Sequence, residues 1–471
     1  MRRVCRPLRC NYAVGLFCLL SMSAFAQLNI QSSPNVVGSG ARALGMGGAF
    51  IAVADDATAA SWNPGGLTQL ERPELSLVYD FDWFGEDFSS TTHPELGGDF
   101  DVNLHKVNYF SAVYPIPWTL AGRNFVVSLN YQRKYDFDRD LRVRFLQLGA
   151  SAGSVIERLQ TVDYKQRGIL AALSPAFGFE ITDTLSVGMV LNIYDQSLLP
   201  DNEWEVRQVN RIRTAIDGVI PPFGFVKFQQ EERYRNFEGM NFTVGTLWKP
   251  TERLSIGAVY HSKFTADVDY MLYQNVLVSN SLAGGILQRK RPQQYTFPSA
   301  FGLGVAYRFP NDKLTLTFDV TRREWDQFVI LDPHNLSLAM QRRSAVSGLP
   351  KWMSPHDPTY TVRLGMEYVF VNERKPKQDY LPSLRAGVFY DPEPSSGRPD
   401  RWYGLGNATG SVDDYFGVTL GVGVLIKNRV NLDAAYVYRW GTDVRKDTFG
   451  LAGTDADVDQ HILYFSTVIY F

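Results

Sequence analysis

Once its leader is set aside, the chain contains no cysteine. Cys5, Cys10 and Cys18 all fall in the first 26 residues, where Arg2, Arg3, Arg6 and Arg9 precede an apolar run from Ala13 to Met22 and a small-x-small site at Ala24-Phe25-Ala26. That order predicts an export signal cleaved after Ala26, and its apolar run is too short to span a membrane. The exported chain then forms no disulfide and offers no thiolate to a metal. It also lacks any run of the ~20 apolar residues a membrane helix requires. Positive charge is short as well. Cleavage removes four arginines and no acid, taking 47 bases against 49 acids to 43 against 49, so no basic face for nucleic acid is expected. Histidine is sparse and scattered: His93, His105, His261, His334, His356 and His461 show no metal-ligand spacing. No serine or paired acid joins them in a catalytic arrangement, so no enzyme, metal or cofactor is expected.

Aromatics are plentiful, with 24 Tyr and 30 Phe making up most of a 13% share. They sit in segments that alternate apolar and polar residues. In 314–321, Leu314, Leu316, Phe318 and Val320 share one face and Thr315, Thr317, Asp319 and Thr321 the other. A strand has period two, so this pattern sets one face in lipid and the other in water. Fourteen such strands are predicted at 74–84, 106–114, 124–137, 164–181, 185–196, 232–248, 254–273, 295–309, 314–325, 360–371, 383–390, 415–426, 430–440 and 460–471. The gaps between them are alternately long and short, and the short ones carry turn residues such as Thr182-Asp183-Thr184 and Lys427-Asn428-Arg429. In a transmembrane β-barrel short turns collect at the periplasmic face and long loops outside, so both barrel ends are expected at the periplasmic side. Trp83, Tyr114, Trp118, Trp248, Trp325, Tyr390 and Trp440 fall at predicted strand ends, where an interfacial girdle belongs. A soluble sandwich has no need of either regularity. The localisation expected is the outer membrane of a Gram-negative cell, with outer-membrane lipid and lipopolysaccharide as neighbours. The terminal Phe471, closing an apolar face with Leu463, Phe465 and Ile469, resembles the signal read by the barrel assembly machinery.

Residues 27–73, ahead of the barrel at 74–471, do not read as strands. Glycines and small residues from Gly38 to Gly48 lead into Phe50, Asp55, Asp56, a short Ala-rich stretch, and Trp62-Asn63-Pro64-Gly65-Gly66. Asp55 or Asp56 suits a helix N-cap, and the helix must stop near Asn63 and Pro64. No strand precedes the glycines and no parallel βαβ unit follows, which rejects a nucleotide-binding loop. Close backbone packing inside the lumen is the better use of small residues, because fourteen strands enclose more space than side chains alone fill.

The stretch from Gly40 to Leu67 resembles the N-terminal signature of the FadL/OmpP1/TodX family of outer-membrane hydrophobic-compound transporters. It departs at Asn63-Pro64-Gly65-Gly66, where Asn-Pro-Ala-Gly is more usual. Phe297-Pro298-Ser299 through Gly304 to Tyr307, Asp319 and Trp325 resembles the family too, as do Arg363-Leu-Gly365-Met-Glu367-Tyr368 and Leu384-Arg385-Ala-Gly387. A related N-terminal signature occurs in the PorV-like barrels of type IX secretion. The resemblance implies a monomeric fourteen-stranded barrel closed by an N-terminal hatch. Hydrophobic cargo, typically a long-chain fatty acid, is caught outside, passes a hatch rearrangement and leaves sideways through the wall without an energy source. A PorV-like scaffold for secreted proteins and a general porin are the alternative readings.

On this reading Asn63, Pro64, Gly65 and Gly66, with Asp55 and Asp56, form the rigid and gating part of the hatch. Phe50, Trp62, Arg308, Arg363 and Arg385 are candidate contacts to ligand or lumen. The alternative for the charged positions, including Asp319, Glu367, Asp433 and Arg439, is mutual pairing that holds the hatch in place. Apolar residues in the predicted loops 197–231 and 326–359, among them Leu198, Leu199, Phe225, Ile330, Leu331 and Leu336, are candidates for an entry groove.

Overall fold

The computed structural model describes residues 38–91, 94, 97–117, 122–151, 153–222, 224–279, 285–310, 312–372, 378–395, 411–445 and 454–471. The predicted export signal and Trp118 lie outside the described residues. In chain order the first strands are β1 (Glu74–Ser90), β2 (Gly98–Pro115), β3 (Phe125–Asp136), β4 (Arg139–Ser151), β5 (Ser154–Glu180), β6 (Leu185–Asp195), β7 (Trp204–Ile216) and β8 (Phe225–Trp248). Then come β9 (Leu254–His261), β10 (Phe264–Val278), β11 (Gly285–Phe297), β12 (Ala300–Arg308), β13 (Leu314–Arg323), β14 (Val329–Leu331) and β15 (Arg342–Ser344). The last are β16 (Thr359–Val369), β17 (Tyr380–Tyr390), β18 (Glu393–Pro394), β19 (Val412–Asp413), β20 (Phe416–Ile426), β21 (Val430–Arg445) and β22 (Thr454–Tyr470).

Antiparallel pairing runs β1-β2-β3-β5-β6-β8-β9-β12-β13-β16-β17-β20-β21-β22 and returns to β1, a closed barrel of fourteen strands. Closure gives each wall strand a partner on both sides, which is what allows a sheet to cross lipid. The alternation read from the sequence sets which face is which. On β12, Phe301, Leu303, Val305 and Tyr307 are exposed to the outside while Gly302, Gly304 and Ala306 are buried in the lumen.

Several predicted loops are not loops. The wall continues outward past the lipid-facing band as a second tier, in which β4 pairs with β5, β5 with β7, β7 with β8, β8 with β10 and β10 with β11. The reason these segments escape a search for lipid-facing strands is that their polarity is inverted. On β4, Leu141, Val143 and Phe145 point inward and are buried, whereas Arg142 and Arg144 point outward. Outside the bilayer water wets the outer face, so the apolar face must turn in. The inward residues of this tier, with Trp204, Tyr234, Tyr295 and Phe297 at the centre, form an aromatic core that fills the outer lumen. Trp325, expected in the girdle, belongs to this core: it follows β13 in a short 3-10 turn, is 1% exposed, and donates Nε1 to Thr359 Oγ1 at 2.8 Å. Trp83, Tyr114 and Trp248 are exposed on the outer wall.

The β2–β3 seam is short. Its register runs from Pro115↔Val126 to Tyr109↔Gln132 and stops. Above it β2 keeps β1 as its partner down to Gly98, while β3 takes a bulge between Arg133 and Tyr135. Lys106 crosses the gap to Asp136 at 3.1 Å and Asp138 at 2.7 Å.

Candidate functional site

Residues 38–72 lie inside the barrel. They form a helical turn at Ala41–Gly45, a second at Ala59–Trp62, and a 3-10 helix at Pro64–Gln69. The wall meets them with glycines. A Cβ on Gly245 would stand 2.1 Å from Asn63 Oδ1, on Gly188 2.2 Å from Pro64 O, on Gly257 2.4 Å from Ile51 O, and on Gly365 2.2 Å from Met46 O. No side chain fits in those spaces, so the segment rests directly on the wall backbone, through its own backbone at Gly188, Gly257 and Gly365 and through Asn63 Oδ1 at Gly245.

Hydrogen bonds fasten the segment around the ring. Ser111 Oγ donates to Ala57 O at 2.9 Å, Ser186 Oγ to Gly65 O at 2.6 Å, Thr317 Oγ1 to Ala49 O at 3.0 Å, and Thr419 Oγ1 to Gly45 O at 2.9 Å. Ile51 N donates to Asp319 Oδ2 at 2.9 Å. Each wall donor or acceptor is a lumen-facing polar residue on a spanning strand, positioned by the alternation.

Asn63 is fully buried and bonds three ways. Its Nδ2 donates to Ile51 O at 2.8 Å and to Thr246 O on β8 at 2.9 Å, and its Oδ1 accepts from Gly65 N at 3.0 Å. The helix stops at Asn63, as its neighbour Pro64 dictates, but the chain resumes at once as the 3-10 helix with Asn63 as its cap and Pro64 in its first turn. Asp55 and Asp56 are not the N-cap of the preceding helix, whose capping position is Thr58 without a side-chain bond. Asp56 instead accepts from Thr58 N at 2.8 Å, and both acids flank Arg42. The guanidinium of Arg42, a charged donor, holds these carboxylates more strongly than a neutral backbone N–H would.

Arg42 is the segment's electrostatic anchor. It makes a two-pronged contact to Glu367 on β16, at 2.9 and 2.8 Å. Glu367 also accepts from Arg385 Nε at 2.7 Å, and Arg385 reaches Asp433 at 2.6 Å. Glu367, Arg385 and Asp433 are buried, Arg42 is half-buried, and each is partnered, so Arg385 serves the docking network. Arg308 is exposed at the short-turn end of β12. Phe50 is buried under Arg42 and meets Trp62 edge-on at 6.2 Å.

Above the segment lies a cavity of about 200 Å³. Gly48, Ile51, Ser61 and Trp62 form its floor, and Arg363 faces it from β16, 3.6 Å from Asp391. Tyr135, Tyr194 and Phe264 lead from it into the aromatic core, where Tyr194 stacks on Phe264 at 4.8 Å and Phe264 on Phe297 at 4.8 Å. Two cations in its wall, Lys134 of β3 and Arg323 of β13, have no carboxylate partner among the described residues. Lys134 instead donates to Gln132 Oε1 at 2.5 Å. Both were passed over in the sequence, although Arg133-Lys134 carried a signal. Two adjacent charges inside a spanning strand would put one of them in lipid, unless a bulge turns both inward, which is what β3 does.

In the outer loop between β13 and β16, His356 Nε2 lies 2.9 Å from both Ser344 Oγ and Ser354 Oγ. All three residues are buried and no acid partners the other ring nitrogen, so the contact is a structural pin. Among the predicted groove residues of this loop, Ile330 is buried, while Leu336 and Leu338 are exposed with Trp352 nearby in sequence.

A closed membrane barrel whose lumen is occupied by its own N-terminal segment, with an apolar approach and an inner cavity, is a transport barrel of the outer membrane. The chain belongs to the OMPP1/FadL/TodX family of outer membrane transport proteins, whose model matches residues 18–462. It is similar in fold to a FadL homologue of Pseudomonas aeruginosa, at 16% identity over 93% of this chain and 98% of that one, with a TM-score of 0.58. The toluene transporter TodX of Pseudomonas putida is similar at 13% identity over 93% and 99%, with a TM-score of 0.54. No match in sequence is found among curated proteins. The family is one of channels for hydrophobic compounds, not of enzymes, and it sets this chain in the outer membrane of a Gram-negative cell.

Proposed function

We propose that the protein carries amphipathic hydrophobic molecules with an anionic head, of the long-chain fatty acid type, inward by facilitated diffusion, and that residues 38–72 act as the hatch. One observation carries this reading: an aromatic column descends into a cavity whose wall holds Lys134 and Arg323 without carboxylate partners. An apolar tail gains from the column, and a carboxylate gains charge-assisted hydrogen bonds from the two cations. A monoaromatic hydrocarbon has no group to satisfy them. Exposed Leu336, Leu338 and Trp352 support capture at the outer surface, and the short β2–β3 seam beside the cavity supports sideways exit. A monomer suffices for every step.

The test is mass spectrometry of small molecules retained through purification, paired with displacement binding of a long-chain carboxylate and its alcohol. The carboxylate is expected to bind more tightly, and Lys134→Gln with Arg323→Gln to erase that preference while leaving alcohol binding in place. Equal binding of acid and alcohol by the native protein refutes the head-group assignment. Retention of no lipid, together with unchanged hydrophobic uptake on gene deletion, refutes the transport reading.

A further inference from the structure

The exported chain is net acidic, yet the outward face of the projecting tier is basic directly above the lipid-facing band. Lys165 of β5 stands directly opposite Arg207 of β7, and Arg211 of β7 directly opposite Lys227 of β8. Like charges facing each other across a strand pair destabilise the sheet unless an anion neutralises them. The protein supplies only part of that anion. Asp163 is shared by Arg142 and Arg211, and Asp140 takes Lys165. Arg144, Arg167, Arg207, Arg213 and Lys227 are exposed and make no ion pair among the described residues; Glu231, opposite Arg207 on β8, is taken by Arg233.

At the lower border of this face a groove of about 710 Å³ joins Lys165, Arg167 and Arg207 to Tyr131 and Ile169 of the apolar wall. Of its three acids, Glu203 and Glu205 are already held by Arg235 at 3.2 Å and Arg233 at 3.3 Å, and the third, Asp201, is exposed at the rim. The groove is therefore cationic above and apolar below, and it lies where the outer leaflet meets water.

We propose that this face docks a multiply phosphorylated glycolipid of the outer leaflet, of the lipid A type. Its phosphates sit among Arg144, Arg207 and Lys227, and its acyl chains run down past Ile169 and Tyr131. Several unpaired cations spread over neighbouring strands, about 4.8 Å apart, suit a head group with more than one phosphate better than the single phosphate of a phospholipid.

The test uses the full-length protein in detergent, with bisphosphorylated lipid A, its dephosphorylated form and inorganic phosphate as probes, read by native mass spectrometry. The triple variant Arg144→Gln, Arg207→Gln, Lys227→Gln removes exposed charges that make no ion pair and leaves Lys165 and Arg211 without a like charge opposite, so it is expected to fold and to melt within a few degrees of the native protein. It is expected to bind bisphosphorylated lipid A at least about tenfold more weakly, the loss of roughly one strong charge-assisted contact. Arg308→Gln with Lys427→Gln, at the opposite end, is expected to leave that binding unchanged. Native-like lipid A binding by the triple variant overturns the proposal. So does equal binding of the dephosphorylated lipid by the native protein, or occupation by inorganic phosphate with no gain from the acyl chains.

Discussion

Removing the side chain of Asn63 is expected to loosen the N-terminal segment from the wall. Asn63→Ala leaves Ile51 O, Thr246 O and Gly65 N without these partners, in a place where Asn63 itself is fully buried. An orphaned buried polar group costs about 1–3 kcal/mol, and a carbonyl that keeps another bond lies at the low end, so about 3 kcal/mol in all is a fair total. At 1.4 kcal/mol per decade, the undocked population rises on the order of 100-fold. No cysteine follows Cys18 in the sequence, so in a protein expressed without residues 1–26 a single reporter is clean. Ala57→Cys, fully buried in the segment, should label with a maleimide only when the segment opens. Adding Asn63→Ala is expected to raise the labelling rate by that factor. Asn63→Asp separates two explanations: aspartate caps a helix as well as asparagine, but it cannot donate to Ile51 O and Thr246 O. A cap role predicts rescue by aspartate, a wall tether predicts none. A labelling rate within about twofold of the Ala57→Cys parent, or full rescue by aspartate, refutes the tether.

Gly365→Val puts a side chain where Met46 O lies 2.2 Å from an added Cβ, and is expected to expel the segment while the barrel still folds; unchanged protease resistance of residues 38–72 with a native gel shift would count against it. Glu367→Gln strips a buried charge held between half-buried Arg42 and buried Arg385 and is expected to cost about 3 kcal/mol of docking, seen as a lower melting temperature and faster Ala57→Cys labelling. Burial, with Lys351 nearby, pushes His356 down from 6.5 to about 4. The neutral ring is what the outer loop holds, so its contribution is complete above pH 6.5 and is lost as pH falls from there through about 4. At most about 3 kcal/mol is at stake. Hydrogen exchange of the loop 324–358 should rise over that window in the native protein and not in His356→Gln.

Much of the wall was legible before any coordinates. Segments such as 301–307 and 314–321 announce their phase because lipid on one side and water on the other leave a strict period of two. The outer tier reads as loops in the sequence for the same physical reason: above the bilayer the apolar face turns inward, so Arg142 and Arg144 resemble loop residues although β4 pairs with β5. Trp325 shows the same limit, since an aromatic at a strand end can face the interface or the core, and only the turn after β13 decides.

The sequence by itself determined the barrel, its strand number, the side of its short turns, and that residues 38–72 are not strands of the wall. Those follow from local alternation, which each strand carries alone. Only the tertiary structure decided what each polar residue is for. Arg385 and Lys134 are both inward-facing cations on spanning strands, yet one is locked between Glu367 and Asp433 and the other faces a cavity and makes no ion pair among the described residues. Whether a charge is docking or available depends on partners from strands distant in sequence, and period-two patterning holds no record of them.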